Sequence, residues 1–335
     1  MGEAGNFHTT IEGPQNAVQT LNHGVTILAT GGTEAVTASY GYGTSPAIIT
    51  QKEFEKKLTD NSIDPGQLNS VVMIQCVDSR EEPRNYCSRV CCANALKQAL
   101  FLKERNPGVA IYVLYRDMMS YGFSETYYTQ ARKKDVVFVQ YRVDAKPTVR
   151  AAKEECTVTV PEPIIGQMLQ IEADLVILAT GIVPRLPQEL AQVFGAGLDQ
   201  DGFFQEAESK WRPVDSLREG VFACGLAHSP RNIAESIATA EAASQRALRI
   251  LAHKRIASAK VTASVHHSLC SLCGQCIDAC PYGARSIDYD HEQVRVNPLM
   301  CQGCGSCAAV CPNSASILEG FQSRQMFEMI DAAIG

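Results

Sequence analysis

The sequence predicts an α/β chain followed by a small α+β module, and three observations carry that prediction. Apolar, β-branched runs recur and stop at glycine; strand-like and helix-like segments alternate between them; eight of the 14 cysteines crowd into Cys270–Cys311. Strands alternating with helices are the pattern of a parallel sheet flanked by helices. With 335 residues, 45% apolar and 20% charged, the chain has enough core-forming material for two or three packed domains.

The first strand is expected at Gly24-Val25-Thr26-Ile27-Leu28-Ala29-Thr30-Gly31-Gly32, after a polar opening, because a β-branched run ending in Thr-Gly-Gly reads as a strand entering a tight turn. A compact alternation follows: strand Val71–Gln75, helix Asn94–Glu104, strand Val109–Tyr115, helix Ser124–Lys134 and strand Asp135–Tyr141. Val149–Gln170, broken by Pro161 and Pro163, reads as short antiparallel strands. Ala173–Gly181 repeats the Thr-Gly ending, and Gly220-Val221-Phe222-Ala223-Cys224-Gly225 is a third glycine-stopped strand. Ile233–His253 is Ala-rich with apolar residues at helical spacing. Lys254–Ala263 reads as a polar linker, and residues 321–335 as an amphipathic tail.

The formal net charge of −6 argues against a nucleic-acid surface. Met1-Gly2-Glu3-Ala4-Gly5, acidic and leading into polar residues, does not read as a signal peptide, and the most apolar stretch, Ala173–Val183, is too short to cross a bilayer. The expectation is a soluble, cytoplasmic protein. In a reducing compartment, thiols spaced this tightly are read as metal ligands rather than disulfides.

The C-terminal spacing is specific. Cys270-x2-Cys273-x2-Cys276-x3-Cys280-Pro281 returns 31 residues later as Cys301-x2-Cys304-x2-Cys307-x3-Cys311-Pro312. Such a loop wraps three corners of a [4Fe–4S] cubane, and the fourth cysteine of each run ligates the other cluster. The expected sets are Cys270, Cys273, Cys276 and Cys311 for one cluster, and Cys301, Cys304, Cys307 and Cys280 for the other, in a bacterial 2[4Fe–4S] ferredoxin fold. Structural zinc needs neither the third Cys-x2 step nor the trailing Cys-Pro. Gly274, Gly303 and Gly305 suit backbone that must bend tightly.

Cys76-x10-Cys87-x3-Cys91-Cys92 matches no ferredoxin spacing. Cys76 ends a strand and Cys91-Cys92 opens the next helix, where a dinucleotide-binding unit would carry glycines for a pyrophosphate. A third cluster, zinc, a vicinal disulfide and plain buried cysteines all fit the spacing. No Gly-x-Gly-x-x-Gly follows a strong strand. The late strands of a flavoprotein-like fold are present without its phosphate-binding first strand and helix.

Four stretches together resemble the flavin subunit of heterodisulfide reductase, HdrA, and its bacterial relatives. They are Gly5-Asn6-Phe7 leading to His23–Gly32; Cys76 with Tyr86-Cys87-Ser88-Arg89-Val90-Cys91-Cys92 and Ala95-Leu96-Lys97; Gly220–Gly225 running to Pro230–Ala238; and the ferredoxin module. The resemblance implies a thioredoxin-reductase-like core: a partial FAD module plus an NAD-like Rossmann domain carrying a cluster at Cys76, Cys87, Cys91 and Cys92. It implies segments 1–66 and 173–258 for the flavin module, 67–172 for the NAD-domain-like unit, 259–320 for the ferredoxin domain and 321–335 for a tail. It implies flavin contacts at Gly31, Gly32, Gly181, Gly225, Ile233, Ser236 and Ile237, with Lys97 beside the flavin N5 edge. Leu226, His228 and Arg231 depart from commoner family choices.

The implied cofactors are three [4Fe–4S] clusters and FAD. Flavin binding is either shared with a chain supplying the missing N-terminal half or lost. The implied function is electron transfer between FAD and clusters in a heterodisulfide-reductase-like complex, by electron bifurcation with ferredoxin. Implied partners are HdrB- or HdrC-like subunits, a linker subunit of hydrogenase or formate dehydrogenase, and ferredoxin. The alternative is a flavin-free iron–sulfur relay, in a sulfate-reduction or aromatic-ring reductase complex for example.

Overall fold

The computed structural model describes residues 2–14, 17–151, 156–185, 187–210, 212–253, 261–298 and 300–334. It divides into two compact units, one of Thr30–Arg185 with Gly225–Ser236, the other of Met1–Ala29, Leu186–Cys224 and Ile237–Gly335.

The first unit is built on a five-stranded parallel sheet. Its order is Ile48–Thr50, Leu175–Thr180, Ser70–Val77, Ala110–Tyr115, Val136–Gln140. Counting from Ser70–Val77, the last four of these strands have the order 4-1-2-3, the order of a dinucleotide-binding half. Near-continuous apolar sequence is needed because both faces are covered. Val71, Met73, Ile111, Val113, Leu175 and Ile177 join one core with Phe54, Leu96 and Leu102 from the helices Gln51–Thr59 and Cys91–Arg105. Their neighbours Val72, Ile74, Leu114, Val176 and Leu178 face the other way, against Cys156, Val158, Val160 and Ile171. These last residues come from the antiparallel sheet of Thr148–Ala151, Cys156–Glu162 and Gln167–Ala173. The lone Cys156 is therefore core.

Strand Ile48–Thr50 and helix Gln51–Thr59 go beyond the sequence expectation, although the sequence marks the helix start. Thr50 and Glu53 form a reciprocal capping box, Glu53 N–H to Thr50 Oγ1 at 3.2 Å and Thr50 N–H to Glu53 Oε2 at 2.8 Å. Thr-x-x-Glu before a helix is its signature. Three residues of strand are too few for period 2 to register.

In the second unit the polar opening is an antiparallel ribbon, Gly2–Glu3, Asn6–Glu12 and Val18–His23. Strand Thr26–Leu28 pairs in parallel with Val221–Ala223. The long helix runs Ile233–Leu251, and the linker expected after it falls mostly on residues 254–260, outside the described residues. The cysteine-rich module has two antiparallel strand pairs, Ala263–Val265 with Ser316–Leu318 and Arg285–Asp288 with Gln293–Val296. Each repeat contributes one short helix, Gln275–Asp278 or Ser306–Ala309, and the tail forms the helix Ser323–Ile334.

Candidate iron–sulfur and flavin sites

Cys76 lies at the carboxyl end of strand Ser70–Val77, beside strand Leu175–Thr180. That junction is where the strand order reverses, the place at which open α/β sheets bind ligands. The strand leaves its regular path there: Cys76, Asp78, Arg80 and Arg89 all have positive φ, 49° to 63°. Non-glycine residues hold this region only when the surroundings over-determine it. Those surroundings are visible. Thr37 Oγ1 and Ser39 Oγ each donate to the Asp78 carboxylate at 2.6 Å. Arg84 Nε donates to the Asp78 carbonyl, and the Arg116 guanidinium to the carbonyls of Ser79 and Arg80.

The loop between Cys76 and Cys91 is stitched to the segment after Thr180. Tyr86 Oη donates to the Ile182 carbonyl at 2.7 Å, and Ile182 N–H donates to the buried Ser88 Oγ at 2.8 Å. Cys87 sits between these two anchors and accepts the Arg89 N–H at 3.3 Å. Cys91 and Cys92 open helix Cys91–Arg105, whose positive dipole end favours thiolates. As free thiols they donate to the carbonyls of Thr180 and Asp117, both at 3.7 Å.

Burial, reinforced by the neighbouring thiols Cys92, Cys76 and Cys87, pushes the Cys91 thiol far up. Burial likewise raises Cys92 to about 11, with the Met119 N–H opposing it and Cys76 and Cys87 adding to it. Cys76 is raised by burial against the pull of Arg80. These are thiols close enough to feel one another and too dry to ionise alone. A cationic iron–sulfur core is the kind of ligand that would take them as thiolates, with release of protons. The buried Arg80 Nη1 has no hydrogen-bond partner among the described residues, which leaves a donor for sulfur.

Ser88→Ala is expected to leave the Ile182 N–H without a partner and to destabilise the chain by about 1–3 kcal/mol. The check is a lower denaturant midpoint at unchanged slope.

The ferredoxin module gathers its cysteines across the repeat. One hollow is lined by Cys270, Cys273, Cys276 and Cys311. A second is lined by Cys280, Cys301, Cys304 and Cys307. Corresponding N–H groups point at the crossing cysteines: Ala284 to Cys280 Sγ at 3.4 Å, Ala315 and Ser316 to Cys311 Sγ at 3.2 and 3.4 Å. Burial would raise the Cys311 thiol, but donation from Ser316, Asn313 and Ala315, with the charge of Arg285, holds it below the usual range. At Gly303, φ is +64° and a Cβ would come within 2.4 Å of the Val261 carbonyl, so only glycine fits.

Among the described residues no three His, Cys, Asp or Glu side chains converge closely enough for a single metal ion. Thiolates that grip separate irons of one cubane need not converge so far.

The expected flavin residues are partly gathered. Gly31, with φ +75° and open space where a Cβ would stand, precedes strand Gly32–Glu34, which pairs with Ile182–Pro184. The Gly181 carbonyl accepts the Ala35 N–H at 2.8 Å. Gly225 has φ +62°, and a Cβ there would lie 3.9 Å from Ser236. Gly31, Gly32, Gly181, Gly225 and Ser236 all belong to the first compact unit, whereas Ile237 belongs to the other. Ile233 is 80% exposed and Ile237, one turn later, 54%. Lys97 is mostly exposed, its ammonium 2.8 Å from Glu55.

Sequence reasoning passes over four contributors. Ser88 and Tyr86 stand in the resemblance only as members of a longer stretch, without a role. Glu235 pairs with Arg89 and accepts Tyr121 Oη at 2.9 Å, linking the Cys87 loop to the start of helix Ile233–Leu251. The fourth is Arg285, which the 31-residue offset sets against Ser316.

Residues 263–312 match the family model described as a 4Fe–4S dicluster domain. The chain is 31% identical over 310 residues to the HdrA subunit of the Ferredoxin:CoB-CoM heterodisulfide reductase of Methanosarcina acetivorans, covering 80% of this chain and 38% of that protein. It is 35% identical over 251 residues to an HdrA-like protein of Archaeoglobus profundus, 73% of this chain and 35% of that one. With the iron–sulfur HdrA subunit of the CoB--CoM heterodisulfide reductase of Methanocaldococcus jannaschii it shares 34% identity over 311 residues, 88% and 47% of the two chains. The chain thus spans less than half the length of these relatives. Among solved structures, the T. acidophilum thioredoxin reductase aligns at TM-score 0.47 and 18% identity, over 74% of this chain and 73% of that one. No described helix is long and apolar enough to cross a membrane.

Proposed function

Because the chain is HdrA-like over 73–88% of its length, we propose that it is an electron-transfer subunit of a heterodisulfide-reductase-like complex. One observation carries the proposal: four thiols lie along the strand end, loop and helix start at the switch point of a dinucleotide-type sheet, and the loop is bonded to Ile182, the residue after Gly181. Cys76, Cys87, Cys91 and Cys92 would hold a cluster there, and the two ferredoxin hollows would hold the other two.

FAD, when bound, accepts electrons in pairs and passes them on singly, which is the requirement for bifurcation with ferredoxin. Gly31, Gly32, Gly181 and Gly225 would let backbone approach it, and Ser236 with the exposed Ile233 and Ile237 would flank it. Lys97 would serve the flavin only after leaving Glu55. The glycine-rich flavin element is not among these residues, so it would come from polypeptide outside them. HdrB- or HdrC-like subunits and a ferredoxin are the partners this reading requires. A cytoplasmic location goes with it.

Anaerobic isolation with associated chains is expected to yield FAD and about 12 Fe per chain, three cubanes' worth. Isolation of the single chain is expected to yield the iron with little FAD. Three clusters with no flavin in either preparation would favour the second reading, a plain relay, which the lack of Gly-x-Gly-x-x-Gly supports. About 8 Fe would remove the cluster at Cys91.

A further inference from the structure

Arg285 opens strand Arg285–Asp288 in the first cysteine repeat, and the matching position of the second repeat holds the small Ser316. It is 6% exposed, and neither Nη1 nor Nη2 has a hydrogen-bond partner among the described residues. Among the described residues lining the two cysteine hollows, Arg285 alone lines both. The walls mix apolar side chains, Val265, Ala284, Val294 and Val296, with the cysteine sulfurs and a few polar groups such as Ser316, whose Oγ also lacks a partner among the described residues.

A guanidinium cannot lose its charge, and a buried, unpaired one is strongly unfavourable. Acceptors that arrive with whatever fills the hollows would satisfy the two free Nη groups. Thiolates and sulfides of iron–sulfur clusters are such acceptors. Reduction potential follows net charge and hydrogen bonds to sulfur.

We propose that Arg285 is a cation shared by the two ferredoxin clusters, donating to sulfur of each and raising both reduction potentials together. The proposal rests on clusters occupying these hollows and goes beyond it in assigning one side chain to both. Each reduction adds an electron beside the same buried positive charge, so each is made easier. A residue serving only one cluster, or only the fold, would not couple the two.

The test is an EPR-monitored redox titration of the full-length, anaerobically prepared protein, with iron analysis of every sample. Arg285→Gln and Arg285→Met are expected to keep both clusters. At the wild-type midpoint, the reduced-to-oxidised ratio of each should fall at least tenfold, which is ~59 mV for a one-electron couple. Arg285→Lys, which keeps the charge without the planar fork, is expected to fall less in both. Unchanged potentials in a neutral variant that holds both clusters would overturn the proposal. So would a shift confined to one cluster, or loss of a cluster in both neutral variants. Wild-type protein that takes up no iron in these hollows would instead refute the cluster reading beneath it.

Discussion

Cys280→Ala is expected to strip the cluster whose other three ligands lie in the second cysteine run, and to spare the one its own run begins. Cys280 lines the same hollow as Cys301, Cys304 and Cys307, while Cys270, Cys273 and Cys276 face Cys311. A cubane missing one of four thiolates is labile, so the variant should lose about four Fe per chain. The Ala284 N–H, 3.4 Å from Cys280 Sγ, would lose its acceptor as well. Cys311→Ala should remove the opposite cluster. In each variant, EPR of the fully reduced protein should lose the spin–spin interaction of the ferredoxin pair, leaving the surviving ferredoxin cluster and the Cys91 cluster; the surviving ferredoxin signal should differ between the two variants. If Cys280→Ala and Cys311→Ala each destabilised the cluster of their own run, the crossed assignment would be wrong.

The second large effect is expected at the sheet's switch point. Cys91→Ala removes a thiol that burial and three neighbouring thiols hold strongly protonated when free. The protein should lose about four of about 12 Fe, with the ferredoxin pair intact. The backbone should change little: Cys91 contributes a weak S–H donation to Thr180 at 3.7 Å, and the loop keeps its anchors at Ser88 and Tyr86. Iron content with unchanged secondary structure by circular dichroism is the measurement. Retention of all cluster signals would remove Cys91 from the ligand set, and with it the reading of a cluster in place of a nucleotide.

Much of this is legible in the residues. Val71–Gln75, Val109–Tyr115 and Ala173–Gly181 announce strands because a sheet covered on both faces needs unbroken apolar runs, and the structure places strands at all three. The paired Cys-x2-Cys-x2-Cys-x3-Cys-Pro runs read as two clusters with crossed fourth ligands, because a tight loop wraps three corners of a cubane, and the structure brings each expected set of four cysteines to one hollow. Spacing along the chain is enough, since the chemistry lies within a few residues.

Contacts between distant segments need the tertiary structure. Ser88 reaches Ile182, 94 residues away, and Lys97 finds Glu55 on another helix. Neither leaves a mark on local periodicity. The short strand Ile48–Thr50 exists because Leu175–Thr180 offers it an edge. Arg285 carries no spacing signal that sets it apart from the other arginines of the chain. Only folding, which sets two hollows on either side of it and removes the water that would solvate it, makes its charge a matter for both.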